Sequence, residues 1–254
     1  MTTAQLDIAS GAPTRVLPKR SFYRDAARRF MRNKLAVVGL VLVIFLLIIA
    51  LFADDWFLAP FLGREPQQII AHYNYDEAFV GPTGAFPNSQ FWMGADLNGR
   101  DVYSRIVYGA RISLSIAILS QLFALAVGLP MGAAAGWLGG KVDFIIMRIV
   151  DVMSALPVLL LAFLIMLRMG ASYWNVLLAI SLTTWIEICR LTRAQFLTLR
   201  EKEFVEASRS VGANSPRIIW SHLLPNSLAP IIVSVTLGIP RAIFAEAALS
   251  FLGV

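Results

Sequence analysis

The chain is short of charge. Only 15% of its 254 residues are Asp, Glu, Lys or Arg, against about 25% in a water-soluble domain. Cysteine is nearly missing as well, and the lone Cys189 excludes an internal disulfide. The two histidines, His72 and His222, have no metal-ligand company at useful spacing, which argues against a metal site. No Ser/His/Asp set or paired-carboxylate constellation stands out, which argues against an enzyme. A P-loop is also missing. The nearest match is Gly140-Lys141, but Val142 follows it and Ala135 occupies the place of the first glycine. Any energy source is therefore a partner protein or an ion gradient.

What the chain has instead is long uncharged runs. Leu35 to Ala53 carries no charge, nor does Ile112 to Gly140. Two more such runs lie between Arg168 and Glu187 and between Arg217 and Arg241. Crossing a bilayer takes about 20 apolar residues. With 57% hydrophobic residues and a mean hydropathy of +0.68, the reading is an all-α, polytopic helical membrane protein.

The net charge of +6 is a matter of position. Arg15, Lys19, Arg20, Arg24, Arg28, Arg29, Arg32 and Lys34 all precede the first span. Basic residues gather on the cytoplasmic side of spanning helices, so the N-terminus is expected inside and nucleic-acid binding is not. The first run ends in Asp54-Asp55 with no A-x-A cleavage pattern, so it is expected to stay as an anchor.

Four divisions follow. Residues 1–34 are a cytoplasmic tail and a basic pre-helix, with Phe22, Ala26, Arg29 and Phe30 on related faces from Ser21 to Lys34. Residues 35–53 are the first transmembrane helix. Residues 54–107 form an acidic, turn-rich extracytoplasmic loop whose Trp56, Phe57, Phe91, Trp92 and Tyr103 suit the interface. Residues 108–254 are the core, with spans expected at 108–138, 143–167, 173–190 and 226–249. Pro130 is expected to kink the first of these and Pro157 lies inside the second. The last is expected to break near Gly238 and Pro240. Gly128, Gly132 and Gly136 allow close helix packing. Arg148 with Asp151, and Glu187 with Arg190, are spaced to pair within their own helices. Arg241 and Glu246 either line a pathway, where they would meet the charged ends of a peptide, or pair with another subunit.

A charged insert at 200–225 interrupts the core. Phe204, Ala207, Ser208 and Val211 fall on one helical face, and Gly212 suits a left-handed cap. Ser215-Pro216 reads as an N-cap and first helical residue, opening a short helix that Pro225 ends. The 203–225 segment is thus a helix-turn-helix, either a projecting knob or a plain surface connection.

The stretch EASRSVGANSPRIIWSHLLPN, from Glu206, resembles the EAA motif of importer-type ABC-transporter permeases. Glu206, Ala207, Gly212, Leu224 and Pro225 fall in register, while Ser208 and His222 depart from the pattern. WMGADLNGRDVYSRIVYGARISLSI, RIVDVMSALPVLLLAFLI and EAALSFLGV are similar to the dipeptide/oligopeptide/nickel permease subfamily. The resemblance runs from about residue 20 to the end. It implies a type I ABC importer permease fold in the bacterial or archaeal cytoplasmic membrane, with a sixth span expected beyond the five counted here. It also implies a second homologous permease, two cytoplasmic ATPase subunits using ATP and magnesium, and an extracytoplasmic solute-binding protein. The insert would then be the coupling helix. Gly212 would turn it, Glu206 would make a polar contact with the ATPase, and Phe204, Ala207 and Val211 would pack on the ATPase groove or on the bundle. The alternatives are an ion-gradient-driven secondary transporter, whose mark would be matched broken helices, and an anchored scaffold.

Overall fold

A computed structural model describes residues 28, 30–55, 59, 67–75 and 77–252. The tail at 1–20, most of the pre-helix, Trp56, Phe57 and Asp76 lie outside the described residues. The chain divides into two compact units, Met1–Leu46 and Leu47–Val254.

Eight α-helices are named here. They are α1 (Lys34–Leu51), α2 (Val102–Leu138), α3 (Gly140–Ser154), α4 (Val158–Met169), α5 (Tyr173–Leu199), α6 (Glu203–Ser210), α7 (Ser215–Ile218) and α8 (Leu224–Phe251). A π-helical turn, Ile219–Leu223, joins α7 to α8. Four helical stretches are long and apolar enough to cross a membrane, or five if the bent pair α3–α4 is one span.

α1 is apolar on every side, and Val38, Val41, Ile44 and Phe45 are all exposed. A helix apolar all round belongs in lipid or inside a larger bundle. The second unit has its core on α2 and α5, against which α4 and α8 also lie. Gly128, Gly132 and Gly136 make the α2–α5 contact possible. A Cβ on Gly128 would lie 3.0 Å from the Ile188 side chain, and one on Gly136 would lie 2.6 Å from Phe196 Cβ. Without those methyl groups the backbones approach, and dispersion does the work that the hydrophobic effect cannot do in lipid.

Four boundaries differ from the sequence expectation. α2 starts at Val102 and not near 108, because Asp101 caps it, accepting the Ser104 amide at 2.9 Å and the Ser104 hydroxyl at 2.6 Å. α5 runs to Leu199 and not to 190. The span expected at 143–167 is two helices bent by 79°. Pro157 has no N–H to continue the α3 ladder, and a residue before proline avoids the helical region. α8 passes through Gly238 and Pro240 without a break. Neighbouring helices tolerate a proline in such a helix.

Between α1 and α2 the described residues form an ordered loop. The Ser104 hydroxyl also accepts the amides of His72 and Tyr73, each at 3.0 Å. His72, Trp92 and Tyr103 stack together with centroids 4.4 to 5.2 Å apart. Asp96 accepts the amides of Asn98 at 2.8 Å and Arg100 at 2.9 Å. The Arg100 amide above all holds the Asp96 carboxyl below its ordinary value of 3.8, with Arg105 adding to the effect.

Candidate functional site

The insert folds as an elbow seated on one end of the bundle. α6 is a two-turn helix with Glu203 and Glu206 in its first turn and Arg209 in its last. Both placements oppose the helix dipole favourably. α6 ends in a Schellman turn: Gly212 adopts φ +82, its amide donates to Arg209 at 2.9 Å, and the Ala213 amide donates to Ser208 at 3.0 Å. That left-handed backbone is the reason for glycine here. Nothing lies within 4 Å of a Cβ built on Gly212, so conformation and not space makes the demand.

The second limb departs from the sequence expectation. Its N-cap is Asn214, one residue before Ser215, and the Asn214 side-chain oxygen accepts the Arg217 amide at 3.1 Å. Pro216 then sits within the first turn, where a missing N–H is harmless. Pro225 does not end the limb. The π turn widens the helix just before it, with the Leu224 amide reaching back to the Ile219 carbonyl, and α8 continues. A π turn inside a helix takes up such a mismatch in the ladder and recurs at functional sites.

What holds the elbow is Val205, Ile218 and Leu223, all buried with Phe196 near the end of α5. Trp137 and Leu199 pack against them. The Arg209 guanidinium lies over the Trp137 ring at 5.1 Å. Arg200 donates to the Gly136 carbonyl at 3.0 Å, and Arg193 clamps Asp143 with a second bond at 2.6 Å.

The sequence left the patterned face of α6 to pack either on an ATPase groove or on the bundle. The face built from Phe204, Ala207, Ser208 and Val211 does not pack on the bundle. Phe204 is 38% exposed and Val211 is 86% exposed. Ala207 is exposed and Ser208 half-buried, its hydroxyl donating to the Phe204 carbonyl at 2.7 Å. Val205, which the helical pattern passed over, is the residue that docks. Glu206 is exposed beside the free face, and Trp220 on the other limb is 69% exposed. The elbow therefore has a dry inner side and an apolar outer side that the described residues leave largely exposed, with only the His222 ring beside Phe204. An apolar outer patch rimmed by charge has the form of a protein-docking surface.

The charged residues of the spans pair differently from their sequence spacing. Asp151 pairs with Arg190 at 3.1 Å across helices, not with Arg148. Arg148 lies over the Phe144 ring at 5.2 Å. Glu187 pairs with Arg241, not with Arg190, and also accepts the Ser234 hydroxyl at 3.0 Å. Arg241 and Glu246 are not brought together: Glu246 accepts the Ser113 hydroxyl at 2.7 Å, on a different neighbour. Sequence spacing along one helix finds partners only on that helix, and here all three carboxylates take theirs from another.

Residues 128–254 match the family described as binding-protein-dependent transport system inner membrane component. Residues 21–82 match the N-terminal TM domain of oligopeptide transport permease C. The chain is 39% identical over 237 residues to a dipeptide transport system permease protein of Bacillus subtilis (strain 168), covering 93% of this chain and 70% of that one. It is 36% identical over 234 residues to an oligopeptide transport system permease protein of the same strain, covering 92% and 72%. Its fold resembles inward-facing conformations of the MetNI methionine ABC transporter at a TM-score of 0.51 and 20% identity, over 59% of this chain and 74% of that one. That last likeness bears on the fold alone.

Proposed function

The chain belongs to the binding-protein-dependent transport system inner membrane component family, and we propose from that premise that it forms half of the translocation pathway of an ATP-driven peptide importer. The family is a multi-pass, non-catalytic membrane subunit. The proposed solutes are peptides or similar small molecules, as the names of the two Bacillus relatives suggest. The proposed partners are a second homologous permease, two cytoplasmic ATPase subunits that bind ATP and magnesium, and an extracytoplasmic solute-binding protein. Nothing in the matched families favours the ion-gradient alternative.

The observation that carries this reading is the two-sided elbow. Its inner side is locked on Phe196 through Val205, Ile218 and Leu223. Its outer side offers Phe204, Ala207 and Val211, with Glu206 at the edge. A rigid body locked to one partner and apolar toward another transmits force between them. In this reading the elbow is cytoplasmic, which also places the basic N-terminus inside and residues 54–101 outside. Ser208 keeps α6 compact, Gly212 sets the turn, and Pro225 aligns the elbow with α8.

Gentle purification of the tagged chain from its own membranes tests the proposal. The ATPase subunits are expected to come down with the wild type and to be lost with Val211→Asp, which charges the outer face without touching the inner one. A chain that purifies alone, or retains the ATPase subunits equally in both forms, contradicts it.

A further inference from the structure

Three spans bring polar groups to one level. Gln121 lies near the middle of α2, Glu187 near the middle of α5 and Arg241 in the central part of α8. The Arg241 guanidinium donates to one Glu187 carboxylate oxygen, and the Ser234 hydroxyl donates to the other at 3.0 Å. Gln121 is 4% exposed and its side-chain Nε2 has no hydrogen-bond partner among the described residues. Its carboxamide lies where a Cβ on Gly238 would stand, 2.6 Å from Cδ, so Gly238 gives it room. A cavity of about 70 Å³ joins Gln121, Glu187, Ser234 and Arg241. On the other flank of Glu187 a cleft of about 600 Å³ runs past Thr183 and Ser154 to Arg190.

The pair is not buried. The Arg241 side chain is 61% exposed and the Glu187 side chain 52%. Exposed charge on membrane-spanning helices is costly in lipid, so this face lies against water or against another polar surface. Its form favours the first. Clefts open on both sides of Glu187, hydroxyls line them, and the unpartnered Gln121 amide adds a buried donor to the cavity. The two opposite charges are complementary in sign to the two free ends of a short peptide. Exchange of Arg241 from Glu187 to a solute carboxylate, and of Glu187 from Arg241 to a solute ammonium, leaves no charge unpaired.

We infer that the Glu187–Arg241 pair is a contact point for a zwitterionic solute in the pathway, with Arg241 receiving the free carboxylate and Glu187 the free ammonium. Ser234 and Gln121 support the pair. This rests on the importer reading above and names the chemistry its pathway recognises.

The test uses the complete transporter in proteoliposomes, reading uptake of a labelled dipeptide per ATP hydrolysed. The double variant Glu187→Gln with Arg241→Gln removes both charges together and leaves neither stranded. It is expected to lower uptake per ATP by about tenfold or more, the scale of a lost charged hydrogen bond, with hydrolysis still stimulated by the loaded binding protein. Unchanged uptake per ATP would mean that the pair only braces the helices, and would overturn the inference. Should the double variant fail to assemble, Ser234→Cys decides. The only native thiol, Cys189, is fully buried, so the wild type supplies the background. Labelling by a membrane-impermeant thiol reagent, slowed by dipeptide, supports a water-filled site. Absence of labelling places the face on lipid or on the second permease and overturns it. Failure of the wild type to bind ATPase subunits would instead count against the importer reading.

Discussion

Gly132 of α2 presents its bare Cα to the backbone carbonyl of Cys189 on α5, and a Cβ at that position would overlap the carbonyl oxygen and stand 2.7 Å from Thr192 Cβ. The neighbours are backbone and a β-branched side chain, neither of which can swing away. This contact sits in the middle of the row formed by Gly128, Gly132 and Gly136, so it sets the distance between α2 and α5.

Gly132→Val is therefore expected to force α2 and α5 apart. Overpacking costs about 1 to 3 kcal/mol in a tight core, and the thermal midpoint of the detergent-purified protein should fall accordingly. Gly109→Val, at a position where nothing lies within 4 Å of a new Cβ, should leave it nearly unchanged.

Arg193→Ala should loosen the seat of the elbow. It strands the Asp143 carboxylate, which accepts both Arg193 bonds. A hydrogen bond to a charged group contributes about 1.5 to 3 kcal/mol, so a loss on that scale is expected in denaturation midpoints. The Arg193→Ala and Asp143→Ala double variant should lose less than the sum of the two single losses.

The loop before α2 should loosen in acid. The folded Asp96 carboxyl is held below its ordinary value of 3.8. A lowered value stabilises the folded loop above the ordinary value, and that contribution fades as pH falls through the lowered one. Proteolysis of residues 94–105 by an acid-active protease is expected to accelerate below pH about 4, following the ordinary carboxyl range. Asp96→Asn should already be accelerated at neutral pH and should show little further change on acidification.

Gly212→Ala should strain the elbow without a clash. The left-handed conformation costs a non-glycine residue about 1 to 2 kcal/mol. Asn tolerates that conformation better, so Gly212→Asn is expected to retain more of the transport rate than Gly212→Ala in uptake assays.

Much of this architecture is legible in the residues alone. Uncharged runs mark the spans because lipid leaves few alternatives. The row at Gly128, Gly132 and Gly136 marks a helix contact, though not which helix it meets. The turn at Gly212 can be read locally because its bonds, to Arg209 and Ser208, are local. What was not legible depends on tertiary placement. Helical spacing offered Arg148 to Asp151 and Arg190 to Glu187, whereas the bundle gives them Arg190 and Arg241. The pattern on α6 marked Phe204, Ala207 and Val211 as a face to be covered, by the bundle or by an ATPase groove; it passed over Val205, which docks, and those three stay exposed. An apolar stripe shows that a face is to be covered; it does not say by which partner. Leu156-Pro157 shows where a helix is weak, but the size of the bend, 79°, cannot be read from those two residues.

The most direct test of the elbow as the transmission joint is ATP hydrolysis by the complete transporter in proteoliposomes, with and without solute-loaded binding protein, for the wild type and Gly212→Pro. Proline cannot adopt φ +82 and removes the amide that bonds Arg209, so it breaks the elbow while leaving the spans intact. The account predicts that Gly212→Pro still assembles and hydrolyses ATP at a basal rate but no longer responds to loaded binding protein, and that uptake is lost. Stimulation and uptake at wild-type levels in Gly212→Pro would contradict it.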